Sequence, residues 1–168
     1  KCLRECPVKA IKVEKGHASV LPELCVCCGH CVQICPAHAK KVRYDLPKVK
    51  QLIKSGRPTY VSLAPSWVSE FRNIRESALI KGLKQLGFAG VSETALGAQT
   101  VSAATAEILK ASDYGLFLSS ACPAVVAFIQ KHISQYTENI TGMLSPVLAH
   151  CKMLREKLGG EIAVVMIS

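Results

Sequence analysis

Residues 25–36 read Cys-Val-Cys-Cys-Gly-His-Cys-Val-Gln-Ile-Cys-Pro and contain a closely spaced run of cysteines. Cys25, Cys28, Cys31 and Cys35 follow the spacing C-x2-C-x2-C-x3-C, and Pro36 comes directly after the last of them. Thiolates separated by two residues on a tight turn can reach three corners of an iron–sulfur cubane. The fourth ligand of such a cluster must then come from another part of the chain.

This spacing is the bacterial ferredoxin run that binds a 4Fe-4S cluster. In ferredoxins with two clusters, the last cysteine of each run binds the other cluster, so a second run is expected. Its tail is present as Cys2-Leu3-Arg4-Glu5-Cys6-Pro7, which lies 29 positions before Cys31-Val32-Gln33-Ile34-Cys35-Pro36. The similarity continues from 8–12 to 37–41. The sequence therefore contains an internal duplication.

The duplication assigns the cysteines to two clusters. We expect Cys6, Cys25, Cys28 and Cys31 to bind one complete 4Fe-4S cluster. Cys2 and Cys35 would belong to a second cluster, whose other two ligands would lie upstream of Lys1. The chain does not start with methionine, and we expect it to begin inside the first motif. Cys27 lies outside the spacing and is interpreted as a bystander thiol; the other interpretation is that it serves as an alternative ligand.

Composition limits the class of protein. The apolar fraction of 49% is typical of a chain that forms a core, and no apolar run approaches the 18 residues of a membrane span. Nine cysteines in a secreted protein would indicate disulfides, whereas the ferredoxin spacing indicates metal binding in a reducing compartment. The expected location is the cytoplasm.

The net charge of +9 comes partly from a basic stretch. Its members lie before, within and just after a predicted helix, and they are Lys40, Lys41, Arg43, Lys48, Lys50, Lys54 and Arg57. A solvated face that offsets the cluster charge is the simplest interpretation. Nucleic-acid binding is not expected, because no recognition motif accompanies the charge. An acidic redox protein is the expected partner.

Patterning predicts three segments. Residues 1–46 form a ferredoxin-type module with a hairpin of strands at 11–15 and 18–21 and a further short strand at 42–44. A helical linker follows at 47–58, with Ser55-Gly56-Arg57-Pro58 ending its helix. Residues 59–168 alternate strands and helices, with strands expected at 60–63, 88–91, 116–118 and 162–167. Such alternation predicts a mostly parallel α/β sheet, so the whole chain combines α+β and α/β parts.

Ser119-Ser120-Ala121-Cys122-Pro123 is the second candidate site. It follows a predicted strand and begins an apolar helix, with Pro123 in the first turn. A thiol at a helix N-terminus is favoured as a thiolate. Spacing alone leaves two alternatives for Cys122, which are a buried small hydrophobe and a ligand or nucleophile. His150 and Cys151 lie in a later helix and are interpreted as structural.

The order of these motifs, together with Ser62-Leu63-Ala64-Pro65-Ser66, Thr94-Ala95-Leu96-Gly97-Ala98 and Ser145-Pro146, resembles the large subunit of iron-only hydrogenases and their sensory relatives. The resemblance implies a two-cluster ferredoxin-like module followed by half of an α/β hydrogenase domain. It also implies electron transfer to an H-cluster, with protons and hydrogen as substrates in the intact protein.

The resemblance implies roles for individual residues. Cys122 matches the cysteine that binds the 4Fe-4S part of the H-cluster. Ala121 replaces the cysteine that relays protons, so turnover should be slow. The segment Ala64, Pro65 and Ser66 matches the loop that approaches the diatomic ligands of the di-iron site.

The chain lacks the family's later cysteine motifs, so we expect this fragment alone to be inactive. A non-enzymatic ferredoxin-type carrier or redox-regulatory module is the alternative function. A zinc module is a more distant alternative.

Overall fold

The computed structural model describes residues 1–112 and 115–168. The strands are β1 (Ile11–Glu14), β2 (His17–Val20), β3 (Thr59–Leu63), β4 (Gly90–Glu93) and β5 (Ala163–Ile167). The helices are α1 (Cys2–Glu5), α2 (His30–Gln33), α3 (Leu46–Lys54), α4 (Trp67–Glu70), α5 (Glu76–Gln85), α6 (Ala95–Ala111), α7 (Pro123–His132) and α8 (Pro146–Leu158), and a 3-10 helix spans Ser134–Asn139.

The chain divides into two compact units. The first unit combines Lys1–Tyr44 with Gly115–Gly142, and the second combines Asp45–Tyr114 with Met143–Ser168. The first unit therefore contains both the cysteine runs and the Cys122 segment. The predicted domains 1–46, 47–58 and 59–168 stay a prediction drawn from sequence order.

The first unit contains the predicted hairpin. β1 and β2 pair antiparallel, with Ile11 opposite Val20. The turn between them places Lys15 and Gly16 at φ 49° and 78°, as two-residue hairpin turns require. The predicted strand at 42–44 is wrong. Val42 and Tyr44 are each 72% exposed. Apolar side chains favour a strand mainly by packing against neighbours, and these side chains are not packed.

The sequence duplication is also a structural repeat. The N–H of Ala10 donates to Cys6 Sγ at 3.3 Å, and the N–H of Ala39 donates to Cys35 Sγ at 3.3 Å. The residues before these donors, Lys9 and His38, have φ angles of 52° and 48°. The chain turns in the same way after each Cys-Pro pair, so both runs fold alike.

The second unit contains a parallel three-stranded sheet in the order β4-β3-β5. β3 lies in the centre, and its Val61 and Leu63 form the core with Leu83 of α5 and Phe88. Val49 and Ile53 of α3 pack against the same core. The prediction of a mostly parallel α/β fold is confirmed in this unit.

Two predicted strands differ from the structure. The strand predicted at 88–91 is found at β4, because Phe88 turns into the core instead of pairing. The segment 116–118 is not a strand of the sheet. Leu118 makes an isolated parallel bridge to Ile140, and both residues belong to the first unit. The apolar residues of 116–118 suit a strand. However, the segment around Ile140 pairs with it through a single bridge only.

Helices α6 and α8 pack closely in the second unit. A Cβ atom added to Gly97 of α6 would lie 2.2 Å from the carbonyl oxygen of Pro146 and 2.7 Å from the backbone nitrogen of His150. Only a residue without a side chain fits this contact. Gly97 therefore fixes the distance between α8 and the start of α6, directly after β4.

Candidate metal centre

The cysteines chosen from their spacing surround one cavity of the first unit. Cys6, Cys25, Cys28 and Cys31 all line this cavity, whose volume is about 420 Å³. We call it the cluster cavity. Its other walls are largely apolar and include Val8, Ile11, Val20, Val26 and Val32. A 4Fe-4S cluster requires four cysteine thiolates as ligands. The four cysteines and the apolar walls of the cavity therefore fit such a cluster.

Backbone amides and neighbouring thiols define the electrostatics of the cluster cavity. The N–H of Cys27 donates to Cys25 Sγ at 3.4 Å, in addition to the bond from Ala10 to Cys6. Burial raises the pKa of the Cys31 thiol, and the charges of Cys25 and Cys28 raise it further. All three of these cysteines line the same cavity. Hydrogen bonds from backbone amides to cysteine sulfurs are one of the factors that set the reduction potential of a cluster.

The remaining cysteines of the two runs have other positions. In the described part of the chain, Cys2 and Cys35 do not line the cluster cavity. Cys2 packs against the small core of Cys6, Ala10 and Ile11. The N–H groups of Ala39 and Lys40 lower the pKa of Cys35. The role of Cys2 and Cys35 in a second cluster stays a prediction.

Cys27 lines the cluster cavity although it lies outside the ligand spacing. Its side chain is exposed and its φ angle is 55°. Among the residues that the structure describes, no three His, Cys, Asp or Glu side chains converge as they would on a single metal ion. The ligands of a cubane surround a body several ångströms across, so their sulfurs do not meet at one point.

Two side chains of α7 hold the turn that leads into Cys25. Lys131 Nζ donates to the carbonyl oxygens of Pro22 and Cys25 at 2.8 and 2.7 Å. His132 Nε2 lies 2.9 Å from the carbonyl oxygen of Leu24. Sequence analysis missed both residues. Side-chain contacts to backbone carbonyls more than a hundred positions away leave no periodic signal in a sequence.

Cys122 is the N-cap residue of α7, and its side chain is exposed. This exposure rules out the interpretation as a buried small hydrophobe. The preceding loop is held by local bonds: the N–H of Ala121 donates to Ser119 Oγ at 3.2 Å, and the N–H of Ser120 donates to Thr141 Oγ1 at 3.3 Å. The roles implied for Cys122 and Ala121 stay predictions.

The segment Ala64, Pro65 and Ser66 leaves β3 at the carboxyl edge of the sheet in the second unit. Ala64 is buried and donates its N–H to the carbonyl oxygen of Ile167 at 2.8 Å, whereas Pro65 and Ser66 are exposed. Ligands of open α/β sheets bind outside this edge. The position suits the implied cofactor-binding role, which stays a prediction.

A buried polar network lies behind this loop. Both ring nitrogens of His150 are bonded, Nδ1 to Ser62 Oγ at 2.8 Å and Nε2 to Ser92 Oγ at 2.9 Å. Ser62 Oγ also lies 2.7 Å from Thr94 Oγ1. His150 is 1% exposed, and burial lowers its pKa. The network joins β3, β4 and α8, so it supports the loops that follow both strands.

Residues 57–168 match the family described as the iron-only hydrogenase large subunit, C-terminal domain. The match covers more than half of the chain, and the chain therefore belongs to this family. The family resemblance found in the sequence is confirmed.

Two relatives extend this result. Over 43 residues, the chain is 46% identical to one subunit of the ion-translocating oxidoreductase complex of Methanosarcina acetivorans, which is 26% of this chain and 16% of that protein. The fold resembles a solved FeFe-hydrogenase with a TM-score of 0.54 and 21% identity, over 74% of this chain and 38% of that one. The work on that structure concerns oxygen inactivation through the 2Fe subcluster of the H cluster. The chain spans well under half of either relative.

At the level of the family, these matches imply iron–sulfur clusters and electron transfer. The likeness to the solved hydrogenase supports the fold alone. Of the helices in the described residues, none is both long and apolar enough to cross a membrane.

Proposed function

We propose that this chain binds a 4Fe-4S cluster through Cys6, Cys25, Cys28 and Cys31 and transfers electrons within an iron-only hydrogenase-like protein. The observation that carries the proposal is the cluster cavity, because the four cysteines selected by ferredoxin spacing all line it. A cluster held there would supply one-electron transfer. The chain's own residues supply four thiolates, an apolar wall and amide donors to two of the sulfurs.

In the intact protein, we propose that a second cluster forms on Cys2 and Cys35 and that Cys122 binds part of an H-cluster. The reaction there is reversible proton reduction, or hydrogen sensing if Ala121 slows proton delivery. Alanine at position 121 carries no titratable proton. An acidic redox protein is the proposed partner, and the cytoplasm is the proposed location.

The alternative is a ferredoxin-type carrier whose second unit serves as an interaction platform. The exposed thiol of Cys122 favours the hydrogenase-like role over this alternative. Replacing Cys122 by serine in the full-length protein separates the two. Loss of a cluster signal supports the hydrogenase-like role, whereas an unchanged cluster content and electron-transfer rate support the carrier.

The cluster assignment is tested by anaerobic reconstitution of this chain, followed by iron analysis and visible absorption near 400 nm. Cys28→Ser should lose the absorption band. Cys27→Ser is the matched control, because Cys27 is its neighbour and lines the same cavity, and it should keep the band. A wild-type chain that binds zinc but no iron would reject the proposal, and so would a loss of iron in Cys27→Ser alone.

A further inference from the structure

The end of α7 places a cation against a predicted cluster ligand. Lys131 Nζ makes two short bonds, at 2.8 Å to the Pro22 carbonyl and at 2.7 Å to the Cys25 carbonyl. Two acceptors fix the position of the ammonium group more firmly than one would. The same Cys25 lines the cluster cavity. A positive charge is therefore held at the backbone of a residue that lines the cavity.

The neighbouring residue strengthens this arrangement. His132 Nε2 lies 2.9 Å from the Leu24 carbonyl, and a bond to a carbonyl requires the proton on that nitrogen. Phe128, one turn earlier on α7, stacks on the His132 ring with centroids 5.4 Å apart. One helix thus holds three of the four carbonyls in the turn at 22–25. Its geometry cannot drift without breaking several bonds.

A fixed cation has a defined effect on reduction. Adding an electron to a cluster increases the negative charge in the cavity, and a nearby ammonium stabilises that state. Removing the charge should therefore lower the reduction potential. Because the Lys131 side chain is exposed, solvent and salt screen part of the effect.

We propose that Lys131 is a positioning residue that raises the reduction potential of the cluster bound by Cys6, Cys25, Cys28 and Cys31, acting through the Cys25 carbonyl. This inference rests on the proposed function. It adds a residue from the hydrogenase-family part of the chain to the control of the ferredoxin-type cluster.

The test compares three reconstituted full-chain variants by redox titration followed by electron paramagnetic resonance. Lys131→Gln keeps an N–H donor without the charge, and it should lower the equilibrium constant for one-electron reduction up to about tenfold, which is about 59 mV. Lys131→Arg keeps the charge and should stay close to wild type. Lys12→Met is the matched control, since Lys12 is also an exposed lysine of the first unit but pairs with Glu14 at 3.0 Å.

The difference in reduction potential between wild type and Lys131→Gln should become smaller as ionic strength rises, because salt screens the charge of Lys131. A purely structural contact would not show this salt dependence. Equal potentials in the two proteins would overturn the inference. A loss of the cluster from Lys131→Gln would also overturn it, in favour of a purely structural clamp. Failure of the wild-type chain to bind any iron–sulfur cluster would instead reject the proposed function.

Discussion

His150 Nδ1 lies 2.8 Å from Ser62 Oγ, inside the second unit, and the opposite ring nitrogen is bonded to Ser92. Burial lowers the pKa of His150 below its ordinary value of 6.5. The unfolded chain therefore binds more protons than the folded one as pH falls through and below about 6.5. This histidine contributes stability that is fully present above that pH and is lost as pH drops toward its folded pKa.

We expect the unfolding free energy of the second unit to fall below pH 6.5, with a slope of at most about 1.4 kcal/mol per pH unit. The measurement is urea unfolding followed by fluorescence of Trp67, the chain's one tryptophan, which packs against the core of the second unit. His150→Gln should remove most of this slope while lowering stability at pH 7.5. A pH profile that is identical in both proteins would contradict the prediction.

Gly97→Ala should destabilise the second unit by about 1–3 kcal/mol, because the added methyl group overlaps backbone atoms of α8 that cannot move alone. The same Trp67 unfolding curve measures the loss. Gly82→Ala is the matched control, since Gly82 lies within α5 and a Cβ there meets nothing within 4 Å. That variant should gain about 0.5–1 kcal/mol. Equal effects of the two substitutions would show that the α6–α8 contact is looser than described.

His132→Ala should speed the loss of iron to a chelator by up to about fivefold. The variant removes the bond to the Leu24 carbonyl and the ring contact with Phe128, and one net hydrogen bond contributes about 1 kcal/mol. Bleaching of the visible absorption after adding chelator gives the rate. His17→Ala, at an exposed position of β2, should match wild type. If His132→Ala loses iron at the same rate as wild type and His17→Ala, the turn does not depend on His132.

Removing iron should unfold the first unit and leave the second folded. The buried apolar residues of the first unit are few, and in its described part they are Cys6, Ala10, Ile11, Val26 and Ile129. Small metal-binding units take much of their folding free energy from the metal. Hydrogen exchange followed by mass spectrometry should show lost protection in β1 and β2 and unchanged protection in β3. Retained protection of the hairpin in iron-free protein would be the contrary result.

Local patterns predicted much of the fold. The alternation of strands and helices from β3 to α6 gave the parallel sheet of the second unit, since apolar periodicity reports which side of an element is buried. The one-turn helices α1 and α2 went unpredicted, because four residues are too short to show a period. The segment 116–118 was misassigned for the related reason that a three-residue apolar run suits several structures.

The candidate site was predictable only where chemistry fixes the spacing. Cys25, Cys28 and Cys31 follow from the geometry of a cubane, and the repeat then selected Cys6, which the structure places on the same cavity. Nothing comparable constrains Lys131 or His132. Their partners are backbone carbonyls of Pro22, Leu24 and Cys25, which any residue could offer. Residues 115–142 belong to the first unit because of long-range packing. No local sequence pattern predicts such packing.

The discontinuous first unit sets an order of events during protein synthesis. Lys131 follows Cys25 by 106 positions, so at about 5–20 residues per second the ribosome makes the cysteine roughly 5–20 s before its supporting lysine. The segment that becomes β3 to α6 emerges in between. A newly made Cys25 therefore waits without α7, and iron delivered in that interval meets a turn that is not yet held. For the cluster proposed on Cys25, we therefore expect loading to be favoured late, once the helix that follows Cys122 has left the ribosome.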